Sequence, residues 1–204
     1  MNAEPLPTGR RQERKAENRA KLLAAARAVF AEKGLGAATV RDIVRGTDLA
    51  SGTFYNYFAD KEECFRALLE EFSEKARGAV RAQRREPGTL EQRVERAYRI
   101  YFELALDERE LFSVIQRNAG TIPFIGGEGL FDAGVSEFFE DLGAWAEEGL
   151  LPDADLDYLA TAGVAIGFQV ANRMLDRDPP DPAAAARFCA RLFIGGLGSV
   201  ARDA

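Results

Sequence analysis

Residues 39–63 of the chain read TVRDIVRGTDLASGTFYNYFADKEE, and this stretch decides the fold. Thr39 can cap a short helix whose apolar side chains recur at three- and four-residue spacing. The polar pair Thr47 and Asp48 ends that helix after about two turns, and a second short helix begins at Ser51. Two short helices joined by a tight turn are the arrangement of a helix-turn-helix DNA-binding unit.

The second short helix has two different faces. Phe54 and Phe58 lie four residues apart, on one side of a helix, where they can pack against the rest of the unit. The other faces carry hydroxyls, an amide and an aromatic ring, from Ser51, Thr53, Asn56 and Tyr57. Such groups can enter the major groove of DNA and contact base edges, which predicts a recognition helix.

A longer helix precedes this unit. Residues 20–34 read AKLLAAARAVFAEKG, and their spacing predicts a helix that begins at Glu17 and ends at Gly34. Residues 1–16 hold two prolines and four basic side chains, a composition that buries little apolar surface. We expect residues 1–16 to form a flexible basic arm.

Charge is divided unevenly along the chain. The formal net charge is -6, but residues 1–61 carry 11 Lys or Arg against 7 Asp or Glu, a net of +4. Residues 62–204 carry 16 against 26, a net of -10. A polyanionic partner is therefore expected at the N-terminal part.

Further helices fill the rest of the chain. Capping-box pairs begin three of them: Asp60 with Glu63, whose helix runs to about Gln83, Thr89 with Gln92, and Asp107 with Glu110. One helix ends near Gly149, and the last two cover about residues 155–176 and 181–202. With roughly nine helices and no convincing strand, the sequence predicts an all-α fold.

Several classes of protein are disfavoured. The chain has two cysteines, far apart, and no histidine, so neither a metal site nor a disulfide framework is expected, and we predict no cofactor. The N-terminus lacks the apolar stretch of a secretory signal, and the longest apolar run, near residues 162–168, is too short to span a bilayer. We expect a cytoplasmic protein without membrane contact.

Residues 39–63 closely resemble the signature of the TetR family of transcriptional regulators, in which a Tyr-x-aromatic-Phe run precedes a lysine. Residues 20–34 are similar to the family's first helix, so the specific resemblance covers about residues 17–66. It implies a helix-turn-helix DNA-binding domain over residues 17–61 and a larger effector-binding and dimerisation domain over residues 62–204.

The resemblance also implies roles for individual residues. Thr39 and Tyr55 become phosphate contacts, and Lys61 becomes an anchor for the DNA backbone. The positions where the family reads bases or adjoining phosphates are Arg41, Ser51, Gly52, Thr53, Asn56 and Tyr57. Arg41 can pair with guanine and Asn56 with adenine.

The chain departs from the family pattern at three positions. Asp48 stands where a turn glycine is usual, and we expect it to adopt the left-handed conformation that aspartate tolerates. Val44 replaces the usual alanine and adds volume at a close helix contact. Gly46 interrupts the first short helix.

Small residues line the last two predicted helices: Ala160, Gly163, Gly167, Gly195, Gly196 and Gly198. In the resembling family these helices pair with their copies in a four-helix interface, which implies a homodimer on a palindromic operator. The alternative is that the same stripes pack within one chain.

The middle helices can enclose a cavity for a small, largely hydrophobic effector. Candidate lining residues are Phe102, Phe112, Ile115, Gln116, Phe131, Phe138, Trp145, Phe168 and Asn172, although ordinary core packing explains most large apolar residues equally well. The resemblance implies a repressor that leaves double-stranded DNA when the effector binds.

Two other classes compete with a regulator. A helical-bundle enzyme would need paired catalytic groups, and the chain has no Glu-x-x-His pair, no nucleophile with a base and no phosphate loop after a strand. A protein-interaction module would predict dimerisation without salt-dependent DNA binding. We therefore expect a regulator and no enzymatic activity.

Overall fold

A computed structural model describes residues 8–83, 86–118 and 130–200. These residues form eight α-helices and one 3₁₀ helix, with no strand among them, which confirms the all-α prediction. The elements are α1 (Thr8–Ala37), α2 (Val40–Arg45), the 3₁₀ helix η1 (Ser51–Asn56), α3 (Lys61–Gln83), α4 (Leu90–Asp107), α5 (Arg109–Arg117), α6 (Leu130–Glu147), α7 (Leu156–Leu175) and α8 (Pro182–Val200).

Helix α1 begins earlier than the sequence predicted. Residues 8–16, expected to be part of a flexible arm, form its first turns. Residues 10–21 read RRQERKAENRAK, a run of good helix formers without glycine or proline, so the helix extends through them with its side chains in water. Gly34, with φ 74° and ψ 161°, interrupts the helix where an L side chain would be strained.

Most of the predicted helix starts are confirmed. Thr39 and Thr89 each form a complete capping box with the third residue of the helix that follows. Asp60 accepts a hydrogen bond from the Glu63 N–H at 2.7 Å. Asp107 is the exception, because α4 runs through it and ends with the Glu108 N–H donating to the Leu104 carbonyl. Only Glu108 separates α4 from α5, which begins at Arg109, so Asp107 cannot take the extended conformation of a capping residue.

The chain divides into two compact units, residues 1–69 with 113–125 and residues 70–112 with 126–204. The division falls within α3 and not at residue 62, where the sequence placed it. The start of α3 belongs to the first unit because Phe65 is fully buried and packs edge-to-face on Phe30, with ring centroids 5.6 Å apart.

In the second unit, glycines allow rings to lie directly against the backbone of α7. A Cβ on Gly163 would overlap the ring of Phe138, and one on Gly167 would come within 3.0 Å of the Tyr98 ring. The Tyr98 hydroxyl donates to the Gly163 carbonyl at 2.9 Å, and burial raises the pKa of Tyr98. The small-residue stripe of α7 therefore packs within the chain, the alternative that the sequence left open.

Helix α8 is the one helix of the described residues that is long and apolar enough, by length and composition, to cross a membrane. Its inward face, with Ala186, Cys189 and Phe193, is buried in the second unit, and burial raises the pKa of Cys189 to about 11. Its outward face is exposed at Phe188 and Leu192.

The packing at Gly163 predicts opposite effects for two Gly→Ala substitutions. Gly163→Ala should lower the free energy of unfolding by about 1–3 kcal/mol, because the Phe138 ring must move. Gly143→Ala, in α6 with no atom near its Cβ position, should raise it by about 0.5–1 kcal/mol through helix propensity. Urea denaturation measures the free energy of unfolding of both variants. Equal changes in the two variants would contradict the close approach of the Phe138 ring to Gly163.

Candidate functional site

The short helices are held by buried apolar side chains. Ile43 and Phe54 are fully buried, and Val44 and Phe58 are nearly so. The guanidinium of Arg19 lies over the Phe58 ring, 5.5 Å from its centroid. The predicted clamping of the second short helix by its two phenylalanines is confirmed.

That second helix is a 3₁₀ helix and not the α-helix that the sequence predicted. The Thr53 N–H donates to the Ala50 carbonyl at 2.8 Å, and the Tyr57 N–H to the Phe54 carbonyl at 2.9 Å. Ala50 has no side-chain oxygen to cap an α-helix, whereas Thr39 caps α2, which has the same length of six residues. With three residues per turn, Tyr57 comes to lie on the same side as Phe54, which accounts for its being only partly exposed.

The turn before η1 is stabilised by hydrogen bonds. The Thr47 hydroxyl donates to the Val44 carbonyl at 2.8 Å and accepts from the Leu49 N–H at 3.2 Å. No non-glycine residue in the described part of the chain has a positive φ. The prediction that Asp48 adopts the left-handed conformation is therefore wrong. Asp48 instead forms an ion pair with Lys21 of α1 at 3.0 Å, which lowers the pKa of its carboxyl.

Gly46, the residue that follows α2, lies close to α1. A Cβ on Gly46 would lie 3.2 Å from the Cβ of Ala25, so the interruption seen in the sequence permits close packing here. Val44, the other departure from the family pattern, is 5% exposed and is accommodated in the core.

The hydrogen-bond donors of Thr39 have an acceptor within the chain. Its N–H and its hydroxyl both donate to Asp42 Oδ2, at 3.1 and 2.7 Å, and the hydroxyl accepts from the Asp42 N–H. Lys33 donates to the other carboxylate oxygen at 2.8 Å, and these bonds to Lys33 and Thr39 lower the pKa of Asp42 to about 2. Thr39 is exposed, but its first role is to cap α2.

Lys61, the residue implied to anchor DNA, also bonds within the chain. Its ammonium donates to the carbonyls of Leu35, Gly36 and Ala38, at 2.8, 3.0 and 3.0 Å. An ammonium has three N–H donors, and three backbone acceptors can use all of them. Lys61 therefore fixes the segment between α1 and α2.

The remaining sequence-predicted DNA residues differ in exposure. Arg41, Ser51, Gly52 and Asn56 are exposed, and Tyr55 is 62% exposed; Thr53 and Tyr57 are intermediate. Arg45 was missed. It is exposed in the last turn of α2, four residues after Arg41, and that spacing places both guanidinium groups on one face.

Replacing Lys61 tests its structural role. Lys61→Gln should lower the free energy of unfolding by about 1–2 kcal/mol, because three carbonyls lose a charged donor. The matched control is Lys15→Gln, at an exposed position of α1, which should change little. Urea denaturation measures the free energy of unfolding of both variants. A Lys61→Gln protein as stable as the parent would contradict the stabilising role of the three Lys61–carbonyl contacts.

The second unit contains a cavity of about 150 Å³. Residues of α3, α4, α6 and α7 line it, and most are apolar or aromatic: Phe72, Ser73, Ala76, Arg77, Val80, Val94, Ala97, Tyr98, Tyr101, Gly134, Glu137, Phe138, Asp141, Gly163, Val164, Gly167 and Phe168. The described residues hold no group of three or more His, Cys, Asp or Glu that could bind a metal ion.

Two of the predicted lining residues, Phe138 and Phe168, are in the cavity wall. Phe102 and Phe112 are core residues instead, and Trp145 lines a smaller neighbouring pocket. Ile115 and Gln116 belong to the first unit, and Gln116 is exposed. Asn172 is buried outside the lining, with its Oδ1 lacking a hydrogen-bond partner, and the side chain of Phe131 lies outside the described residues.

The sequence analysis did not assign residues of α3, or polar residues of α6, to the cavity wall. The apolar stripe of α4 was visible in the sequence, but its assignment to a cavity was not. Glu137 and Asp141 are only 7% and 6% exposed. Arg81 of α3 donates to both oxygens of Glu137, at 2.9 and 2.7 Å.

The two short helices α2 and η1, joined by a tight turn, have the arrangement of a helix-turn-helix unit. Residues 22–68 match the family model for bacterial regulatory proteins of the tetR family. The chain is 52% identical, over 54 residues, to the HTH-type transcriptional repressor KstR2 of Mycobacterium tuberculosis, a match that covers 26% of this chain and 27% of that protein. Residues 22–68 are therefore similar to the DNA-binding unit of the tetR family, and the chain spans about a quarter of the length of the curated relative that it matches.

Solved structures share the fold along nearly the whole chain. A TetR-family regulator from Syntrophomonas wolfei aligns with a TM-score of 0.80 at 21% identity, covering 90% of this chain and 96% of that one. The regulator FadR of Bacillus subtilis, solved in complex with stearoyl-CoA, aligns with a TM-score of 0.73 at 19% identity, covering 87% and 98%. At these identities the likeness concerns the fold.

Proposed function

We propose that this protein is a sequence-specific DNA-binding repressor in the cytoplasm, which binds a palindromic operator as a homodimer and is released by a small effector. One observation carries the proposal: η1 is held by buried Phe54 and Phe58 while Ser51, Tyr55 and Asn56 remain exposed. The net positive charge of residues 1–61 favours a polyanion at this surface. The curated relative that matches this unit is named a transcriptional repressor.

Within this proposal the exposed residues divide by chemistry. Arg41 and Asn56 read bases, together with Ser51, Gly52, Thr53 and Tyr57 where these reach the groove. Tyr55 and Arg45 contact phosphates. Thr39 and Lys61 act first by holding α2 in place, because their donors already have acceptors within the chain. A phosphate could still approach Thr39, but it would compete with the Asp42 carboxylate.

Selection of bound fragments from random duplex DNA tests the function. The parent should enrich a palindrome. Asn56→Ala should relax preference at one position in each half-site, whereas Tyr55→Phe should weaken binding to all sequences alike, since only a phosphate hydrogen bond is lost. Gln116→Ala, an exposed amide on α5 and not on α2 or η1, is the control.

Salt dependence separates the charged residues. Arg45→Gln should reduce the slope of log affinity against log salt by about 1, as expected for one lost phosphate contact. Lys61→Gln should leave that slope unchanged. A parent protein that dimerises but shows no salt-dependent DNA binding would favour a protein-interaction module and would contradict the regulator.

Dimerisation is proposed through the outward faces of α7 and α8. On α8, Phe188 and Leu192 are 59% and 51% exposed, and Gly195 follows on the same face. On α7, Ala162 and Ala165 are exposed beside the 73% exposed Tyr158. Adjoining apolar faces of this kind suit a two-fold interface between copies.

Charge substitution on α8 should separate the subunits. Leu192→Glu should give a monomer at micromolar concentration, because the substitution would bury an unpaired carboxylate in the interface. Phe139→Glu replaces an exposed apolar residue, 44% exposed, on α6 and should leave the dimer intact. Sedimentation velocity measures the mass, and a monomeric parent would refute this interface.

A further inference from the structure

The first turns of α1 carry an exposed group of cations. Residues 9–17 are all exposed, and four of them are basic: Arg10, Arg11, Arg14 and Lys15. Among the residues that the structure describes, none of these four side chains has a hydrogen-bond acceptor or an ion-pair partner. Their charges therefore face water alone.

Other cations of the first unit are used within the chain. Lys21 and Lys33 each pair with an aspartate, at 3.0 and 2.8 Å. The Lys61 ammonium donates to three backbone carbonyls. Residues 9–16, by contrast, hold four cations against one acid, a net of +3. A large part of the positive charge that a partner can reach therefore lies at the start of α1.

Helical spacing puts the four cations on one side of α1. At about 100° per residue they span about 140° of the helix circumference. Arg14 lies two turns before Lys21, and so on the side from which Lys21 reaches the turn before η1. Lys15 lies one turn before Arg19, whose guanidinium is 5.5 Å from the centroid of the Phe58 ring. The basic side of α1 thus continues the side that contacts the residues flanking η1.

This basic side extends beyond the packed part of the first unit. Arg10 precedes Lys21 by about three turns, or about 16 Å along the helix axis at about 1.5 Å per residue. Half a turn of duplex DNA has a similar length, about 17 Å. A helix held beside η1 can therefore carry cations from the groove that η1 enters to the sugar-phosphate backbone that borders it.

The chemistry of this side favours DNA over a membrane surface. Residues 9–17 read GRRQERKAE and contain no large apolar side chain, so α1 lacks the apolar face that holds an amphipathic helix on lipid. A guanidinium binds phosphate through two parallel N–H donors. Like charges four residues apart on a helix repel each other, and a phosphate between Arg10 and Arg14 would relieve that repulsion.

We infer that the basic side of α1 is a second DNA-binding surface, which binds backbone phosphates of the operator with Arg10 and Arg14 as its principal contacts. Phosphates are the same at every base pair, so this surface adds affinity without adding sequence preference. The inference rests on the proposed function, because it assigns a further contact to the same complex with DNA.

The test uses the full chain and the operator that the parent enriches from random DNA. Arg10→Gln/Arg14→Gln should weaken operator binding about tenfold or more at about 0.1 M salt, and reduce the slope of log affinity against log salt by about 1–2. The enriched sequence should stay the same. Glutamine is a good helix former, so circular dichroism should show an unchanged helix content.

Two further variants serve as controls. Arg10→Lys/Arg14→Lys should keep a slope near that of the parent, since an ammonium still supplies the charge. The matched control is Arg99→Gln/Arg177→Gln, which removes two exposed cations of the second unit and should leave the slope unchanged.

Three outcomes overturn the inference. They are an unchanged slope in Arg10→Gln/Arg14→Gln, an equal change in the Arg99→Gln/Arg177→Gln control, or loss of binding to phosphatidylserine vesicles with DNA binding retained. Each of them leaves the palindrome enriched by the parent in place, so failure of this surface is distinguishable from failure of the regulator. A parent that enriches no sequence would contradict both.

Discussion

Burial of Phe54 and Phe58 is the interaction on which the rest of the structure depends. A 3₁₀ helix of six residues has too few backbone hydrogen bonds to persist alone, so its position comes from the two rings in the core. That anchoring also fixes which residues face outward. With three residues per turn, Tyr55 and Asn56, which follow Phe54, are directed away from the core and are exposed.

Polar contacts complete the positioning that the core begins. Lys61, Asp42 and Asp48 join segments that are distant in sequence, through α1 carbonyls, Lys33 and Lys21 respectively. Each such contact at a partly exposed site contributes little to stability. Together they connect the residues of α2 and of the turn before η1 to α1.

The second unit uses its small residues differently. Glycines in α7 admit aromatic rings to the helix backbone, and the same rings border a cavity with buried carboxylates. The glycines of α8 have no atom near their Cβ positions and lie on or beside an outward apolar face. The small residues of α7 therefore serve packing within the chain, whereas the glycines of α8 leave an exposed face.

The sequence by itself determined the helix pattern, the capping residues Thr39 and Thr89, the buried phenylalanines and the likeness of residues 22–68 to the tetR family, because these depend on local spacing and residue chemistry. Only the tertiary structure decided the 3₁₀ geometry of η1, the carbonyl partners of Lys61 and the burial of Glu137 and Asp141. The Lys61 and Glu137 contacts join segments far apart in the chain. Periodicity reports which face of a helix is apolar, but not which distant groups that face will meet.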